Sequence, residues 1–567
     1  MQAVTVVCTC LLLTLVNAEL LKNGDFEAGT ASWNQCWNFV CTLTASDDTR
    51  FGKQYLSVTN RTASWMGPGQ GIQVTLGKDY RVQSYIKILN DLPGKLGQRM
   101  ELEVSFEFPD GTKDYVNAAM RHWSGHQTDG FYSAATSKLP ANRPKGRVVS
   151  TNFYFQGPDP GVGFAVDNTS VTEITSDPDW RAKTDDVINR LRKSDINVQV
   201  TAASGVSPAD VKIQIVQTRK SYPFGMGGLS SWKYVDPAED AYRDWVHKHF
   251  NWATPGNMLK WRQFDWHSSG DSVPRILQTL NGLKSHNIKV RAHNMVWSVS
   301  DFIPLSILAL SGDALRNAVQ QHITYACNLT RGLVEHWDVN NENLHGQWFQ
   351  EKLQDIDYDL ELFRMVHAAD PDAKLFLNDY NVVAQGAATD VRRAFLAQGL
   401  KFKAANVSLY GMGVQVHFLK GQEPSPTLVK ERLDTLAQVG VPLWVTELSA
   451  EDDDPNREAD FFERGLRALY GHPAVEGIVF WEFEGYKEAA DGTKQLTPSA
   501  VRVLDLLEKQ WMTNDTRPLA AASQYTVRGF HGDYELRVVY KGQELTNLRQ
   551  TFTLGTDAKS VSVNVQA

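Results

Sequence analysis

A barrel of eight strand–helix units, preceded by an antiparallel β-sandwich and followed by a small C-terminal β segment, is the α/β fold class the sequence predicts. Three observations predict it. Up to about Asp177 the chain is written as short β-rich runs, such as "GIQVTL", "YRVQSYIKI", "MELEVSFEF" and "VVSTNFYF", broken by Gly, Pro, Asn and Asp. From Ser221 onward eight apolar runs alternate with amphipathic helix-like stretches, the signature of a parallel barrel. The last stretch returns to strands in "YELRVVY", "RQTFTLG" and "SVSVNV".

At 567 residues and roughly 150 residues per domain, the chain has room for two to four domains. It begins with "MQAVTVVCTCLLLTLVNA", an apolar run of signal-peptide length ending in small residues, so residues 1–18 are expected to be a cleaved leader. No later run reaches the ~18 apolar residues of a membrane span. Five sequons, at Asn60, Asn168, Asn328, Asn406 and Asn514, agree with a secreted, extracellular glycoprotein. Without the leader three cysteines remain. Cys36 and Cys41 are close enough for a local disulfide, and Cys327 is an odd, buried thiol. No zinc spacing occurs, so the sequence indicates no transition-metal site. A net charge of −8 with scattered Lys and Arg excludes a nucleic-acid partner, and the protein is expected to act as a monomer.

Residues 19–177 read as the sandwich, with Trp33, Trp37, Trp65 and Trp123 suited to core packing or to stacking on sugar rings. Residues 178–220, with the helix-like "DDVINRLRKSD", read as a connecting β/α segment. The barrel follows over 221–512. Its strands are "SYPFGM", "FNWATP", "KVRAHNMVW", "EHWDVNN", "AKLFLND", "YGMGVQVHF", "PLWVTE" and "GIVFWEF", and among its helices are "AYRDWVHKHF" and "FFERGLRALY". Residues 513–567 are expected as a C-terminal β appendage.

A TIM barrel displays its reactive groups at the C-terminal strand ends. Glu342 ends the fourth strand and Glu447 the seventh. Two rim carboxylates, one kept protonated and one ionised, are what glycosidic-bond cleavage requires. Other strand ends carry His293, Trp297, Asn378, Tyr380, Gln415, His417 and Trp481, a mixture of aromatic planes and hydrogen-bonding edges that matches a pyranose chain. A lone rim glutamate is ordinarily a solvated loop residue, and so is the acidic run Glu451 to Asp454. The concentration of such groups on one rim favours a site.

The motifs "GNMLKW", "RAHNMVW", "WDVNNE", "LFLNDYN", "GVQVHF" and "WVTEL" in this order resemble glycoside hydrolase family 10, the endo-β-1,4-xylanase family, over roughly residues 221–510. The preceding "LLKNGDFEAG", "WMGPGQGI" and "GFAVDNTSVTEI" are similar to the β-sandwich carbohydrate-binding modules joined to such barrels. The nearest branch is the secreted, mollusc-type digestive one. The resemblance implies a retaining endo-β-1,4-glycanase acting on xylan, with some cellulase action on cellulose-type chains. It makes Glu342 the acid/base and Glu447 the nucleophile, beside Asn341 and His417. Asn257, Lys260, His293, Trp297, Asn378, Tyr380, Gln415 and Trp481 would bind substrate. No cofactor is required, and some relatives carry a structural calcium in the N-terminal module. Three departures stand out: Gly256 where the family usually has a glutamate, Ser449 where an aspartate usually pairs with His417, and no second tryptophan after Trp481. The rival class is a non-catalytic, lectin-like barrel, which would commonly have lost one of the two glutamates.

Overall fold

The computed structural model describes residues 19–33, 39–46, 52–75, 78–90, 92–93, 97–124, 131–138, 147–175, 177–266, 272–384, 392–420, 423–488, 493–519 and 523–566. The expected leader, Cys36 and Trp37 lie outside them.

The eight barrel strands are Phe224–Leu229, Trp252–Pro255, Lys289–Ala292 continued by Val296–Trp297, His336–Asn341, Lys374–Asp379, Leu409–Phe418, Leu443–Ala450 and Val475–Trp481. All pair in parallel, and the eighth returns to the first through Phe224↔Ile478 and Met226↔Phe480, which closes the barrel. Strands covered by helices outside and packed side chains inside are buried on both faces, so they read as continuous apolar runs. The fourth strand, for example, is buried along its whole length. The third is interrupted at His293 to Met295, where the sequence alone suggested one continuous run.

Polar and aromatic residues fill the barrel beneath the rim. Arg291, fully buried, donates to Asp338 Oδ1 at 2.5 Å and stands 4.4 Å over the Phe376 ring. Asp338 also accepts from His293 Nδ1 at 3.0 Å, which ties the third strand to the fourth. The acidic run after the seventh strand begins a helix, Pro455–Tyr470, whose N-cap is Asp454. Burial pushes the Cys327 thiol up to about 12 and leaves it an inert packing residue.

The N-terminal module is two antiparallel sheets. One contains Val40–Ala45, Gln54–Thr59, Phe164–Ile174, Asp79–Ile88 and Phe131–Lys138, the other Gly69–Gly71, Ser150–Gln156, Gly97–Glu107 and Lys113–Ser124. Phe106, Phe153, Phe155 and Phe164 fill the space between them, and Trp33 joins this core by stacking 6.0 Å from Phe155. Cys41 is disulfide-bonded. The module meets the barrel through an Arg81–Glu431 ion pair and through Asp177 N, which donates to Thr427 Oγ1.

The segment expected as a connector and the C-terminal appendage form one module. Strand Lys193–Ala202 pairs antiparallel with Gln524–Phe530 and parallel with Lys559–Val565. Strand Val211–Lys220 pairs with Asn514–Pro518 and Gly532–Tyr540. Ile196, Val198, Ile213 and Ile215 thereby pack against Leu536, Val538, Val561 and Val563. Each of these strands alternates, so each has one apolar face that must be covered. The periodicity shows that need without showing that the cover comes from the opposite end of the chain.

Candidate active site

The fourth strand delivers Glu342 to the rim in a left-handed conformation, φ 56°, which is costly for a residue with a Cβ. Backbone bonds hold it there. Glu342 N donates to Asn378 O at 2.8 Å, and its own carbonyl accepts from His345 N and Gly346 N at 3.0 and 3.1 Å. Its carboxylate accepts from Trp297 Nε1 at 2.7 Å and from Gln415 Nε2 at 3.3 Å. Burial and the charge of Asp379 raise its pKa, and the Trp297 hydrogen bond opposes the shift without cancelling it. Glu342 is therefore biased toward the protonated form.

Glu447 is nearly inaccessible, 6% exposed, and is displaced the other way. Burial alone would raise its pKa, but the His417 hydrogen bond and the charges of His293, His417 and Lys260 outweigh it and hold the carboxylate ionised. Asn378 Nδ2 reaches Glu447 Oε1 at 3.4 Å and Asn341 Oδ1 at 2.9 Å. Asn341 Nδ2 is buried without a hydrogen-bond partner, so a donor stands ready beside the two glutamates.

The remaining expected residues gather around this pair. Lys260 Nζ donates to Asn257 Oδ1 at 3.0 Å and stands 4.9 Å over the Trp297 ring. Burial pushes Lys260 down to about 8. Trp297 stacks on Phe302 at 3.6 Å, and Trp481 meets His293 edge-on at 5.6 Å. Tyr380 stacks on His345 at 3.6 Å. His417 places Nε2 3.5 Å from Glu447 Oε2 and Nδ1 2.7 Å from the Ser449 hydroxyl, so a neutral group fills the position where an aspartate was expected.

Gly256 is packed too tightly to carry a larger side chain without movement, because a Cβ there would lie 3.1 Å from the Gly228 backbone. A carboxylate from another strand stands nearby: Glu482 covers Gly228 and its charge acts on Lys260. Asp379 and His345 were also not singled out from the sequence. Asp379 accepts from Leu344 N at 2.9 Å and His345 Nδ1 at 2.6 Å, fixing the turn behind Glu342. The adjacent "NDY" triplet was the available signal for Asp379. Nothing in sequence spacing pointed to His345.

A second concave site lies on the four-stranded sheet of the N-terminal module. It is a cleft of about 880 Å³ lined by Trp65, Tyr115, Tyr154, Glu103, Asn152 and Gln156. Trp65, 62% exposed, presents its indole to solvent rather than to the core. Burial and the neighbouring Glu101 raise Glu103 to about 7. Among the described residues no group of three His, Cys, Asp or Glu is placed to hold a metal ion, and no helix is long and apolar enough to cross a membrane.

Two rim carboxylates whose pKa values are displaced in opposite directions, ringed by aromatic planes and amide donors on a closed parallel barrel, define the glycoside hydrolase class of site. Residues 218–498 match Glycosyl hydrolase family 10, and residues 18–122 match a Carbohydrate binding domain. The barrel of this chain belongs to family 10, joined to an N-terminal carbohydrate-binding module. Among similar proteins, Endo-1,4-beta-xylanase 1 of Arabidopsis thaliana is 27% identical over 501 residues, covering 86% of this chain and 50% of the relative. Endo-1,4-beta-xylanase 3 of the same plant is 27% identical over 496 residues, covering 86% of this chain and 64% of the relative. The chain thus spans about half to two thirds of the length of these relatives. Among solved structures, xylanase 10B from Thermotoga petrophila in complex with xylobiose aligns over 51% of this chain and 94% of its own, at 21% identity and a TM-score of 0.44.

Proposed function

We propose that this protein is a secreted, retaining endo-β-1,4-glycanase that hydrolyses internal β-1,4-xylosidic bonds of xylan. The opposite protonation bias of Glu342 and Glu447 is the observation that carries this proposal. In the first step Glu447 attacks the anomeric carbon while Glu342 gives its proton to the departing sugar oxygen. In the second, Glu342 takes a proton from water, which attacks the glycosyl-Glu447 ester and releases a product with the starting β configuration. Asn341 Nδ2 offers a hydrogen bond to a hydroxyl of the reacting ring, and Asn378 and His417 hold Glu447 in place. A lectin-like barrel would have no use for such a division of labour between two carboxylates.

Xylan as substrate is supported by the family and by the xylanase names of the relatives. Some action on β-1,4-glucan is expected to accompany it. The hydroxymethyl group that separates glucose from xylose supports only about 1–3 kcal/mol of discrimination in such a pocket, and the sequence "EFEGYKEAADGTKQL" after Trp481 contains no second tryptophan. The Trp65 cleft would hold the same kind of chain on the sandwich. Secretion is supported by the apolar leader and by sequons exposed at Asn60, Asn328, Asn406 and Asn514.

The test is hydrolysis of xylan and carboxymethylcellulose by the purified protein, with proton NMR of the nascent product. Reducing ends should form faster from xylan, and the first product should be the β-anomer. Glu447→Gln should remove nearly all turnover. An initial α-anomer, or a Glu447→Gln variant of near-normal rate, would be incompatible with this mechanism.

A further inference from the structure

The N-terminal module reaches the rim of the barrel beside the acid/base. A cavity of about 260 Å³ lies between them, walled on the module side by Gln98, Arg99 and Asp159 and on the barrel side by Ser298, Gln347 and Trp348, among others. That volume falls just below the small-molecule range, which begins at about 300 Å³, and suits a single sugar ring. Its lining also suits a sugar: a half-buried indole from Trp348 beside amide, hydroxyl, imidazole, carboxylate and guanidinium groups. The guanidinium is that of Arg99, which pairs through one nitrogen with Glu101 and has further N–H donors.

Two barrel loops form the wall, and both are joined directly to Glu342. Ser298 follows Trp297, which hydrogen-bonds the Glu342 carboxylate. Gly346 N donates to Glu342 O at 3.1 Å, and Trp348 N donates to Ser298 O at 3.0 Å. On the module side, Gln98 is fixed by accepting from Asp159 N at 3.0 Å. The charge of Arg99 is felt by the Tyr380 phenol, which also feels Glu342. The cavity therefore belongs to the acid/base side of the cleft. That is the side from which the leaving part of the chain departs, because the acid protonates the leaving oxygen.

We propose that this cavity is a leaving-side subsite for a pyranose residue of the β-1,4-glycan, built jointly by the two modules, with Arg99 donating to sugar hydroxyls and Trp348 offering an apolar platform. The inference rests on the proposed glycanase activity and extends it: the N-terminal module contributes to substrate binding in the barrel as well as on its own surface.

The test uses the full chain with Arg99→Ala and Trp348→Ala, and compares kcat/KM on xylohexaose with kcat/KM on an aryl β-xylobioside. The aryl substrate carries no sugar on the leaving side, so it offers the cavity no sugar hydroxyls and no pyranose ring. Loss of a charged hydrogen-bond donor should lower the ratio of the two constants about tenfold for Arg99→Ala, mainly through KM on xylohexaose, and Trp348→Ala should move it the same way. A ratio within about twofold of the original for both variants overturns the inference, whether the two rates are unchanged or fall together. If the unaltered protein releases no aryl group, the proposed function fails first and the subsite with it.

Discussion

Glu342 and Glu447 carry the same side chain, and their surroundings displace their pKa values in opposite directions. Glu342 is raised by burial and by Asp379, Glu447 is lowered by His417, His293 and Lys260, and the proposed reaction requires both biases. The direction of each pH limb follows. Activity on a sugar leaving group needs Glu447 ionised, so the acid limb tracks Glu447. It also needs Glu342 protonated, so the alkaline limb tracks Glu342. Asp379→Asn removes a charge that raises Glu342 and should move the alkaline limb of kcat/KM on xylohexaose to lower pH. Trp297→Phe removes a hydrogen bond that lowers Glu342 and should move the same limb to higher pH, with some loss of rate because Trp297 also lines the cleft. A pH profile in which both variants shift the limb in one direction would contradict this account of Glu342. At this scale the sequence was legible where several polar and aromatic residues fall together on strand ends, which is how the two glutamates stood out and where the structure brings them together. It was silent where a role depends on a neighbour from another strand and no motif flags that contact, as for Asp379 and His345, whereas the Ser449–His417 contact across two adjacent strands was flagged only through the family resemblance.

Elements were legible wherever a long period was sustained. All eight barrel strands fall on the expected runs, because strands buried on both faces have to be apolar throughout. The exception is informative. The third strand breaks at His293, where Asp338 of the neighbouring strand engages Arg291 and His293 together. Such a break is set by a partner that periodicity does not see. Arg291 has no access to water, and Asp338 carries its compensating charge. Asp338→Ala should therefore destabilise the barrel by about 3–5 kcal/mol, the usual result of stranding one member of a buried ion pair. Asp338→Asn, which keeps a hydrogen-bond acceptor, should cost less. Urea denaturation followed by tryptophan fluorescence measures both. Equal stability for Asp338→Ala and the unaltered protein would mean that the buried guanidinium finds another partner.

For the whole molecule, the boundaries of the chain and of its modules do not coincide. Strands 193–202 and 211–220 precede the barrel, and the strands that complete their sheets follow it, so the barrel is inserted between the two halves of a small β module. Sequence order placed the halves about 300 residues apart and gave no reason to join them, whereas the shared core of Ile196, Val198, Ile213, Ile215, Leu536, Val538, Val561 and Val563 does. A chain ending at residue 512 would keep an intact barrel and both glutamates, yet expose the inner faces of the first two strands. Each fully buried Val or Ile left in water forfeits about 1.5–3 kcal/mol, and strands that have lost their neighbours offer open edges for pairing between chains. The truncated protein is therefore expected to aggregate on expression, although everything removed lies outside the barrel that carries the two glutamates. Supplying residues 513–567 as a separate chain should restore part of the soluble yield by re-forming the two sheets. Size-exclusion chromatography of the truncated, full-length and co-expressed forms decides the matter: a truncated protein that elutes as a soluble monomer at full-length yield would show that strands 193–220 do not need their C-terminal partners.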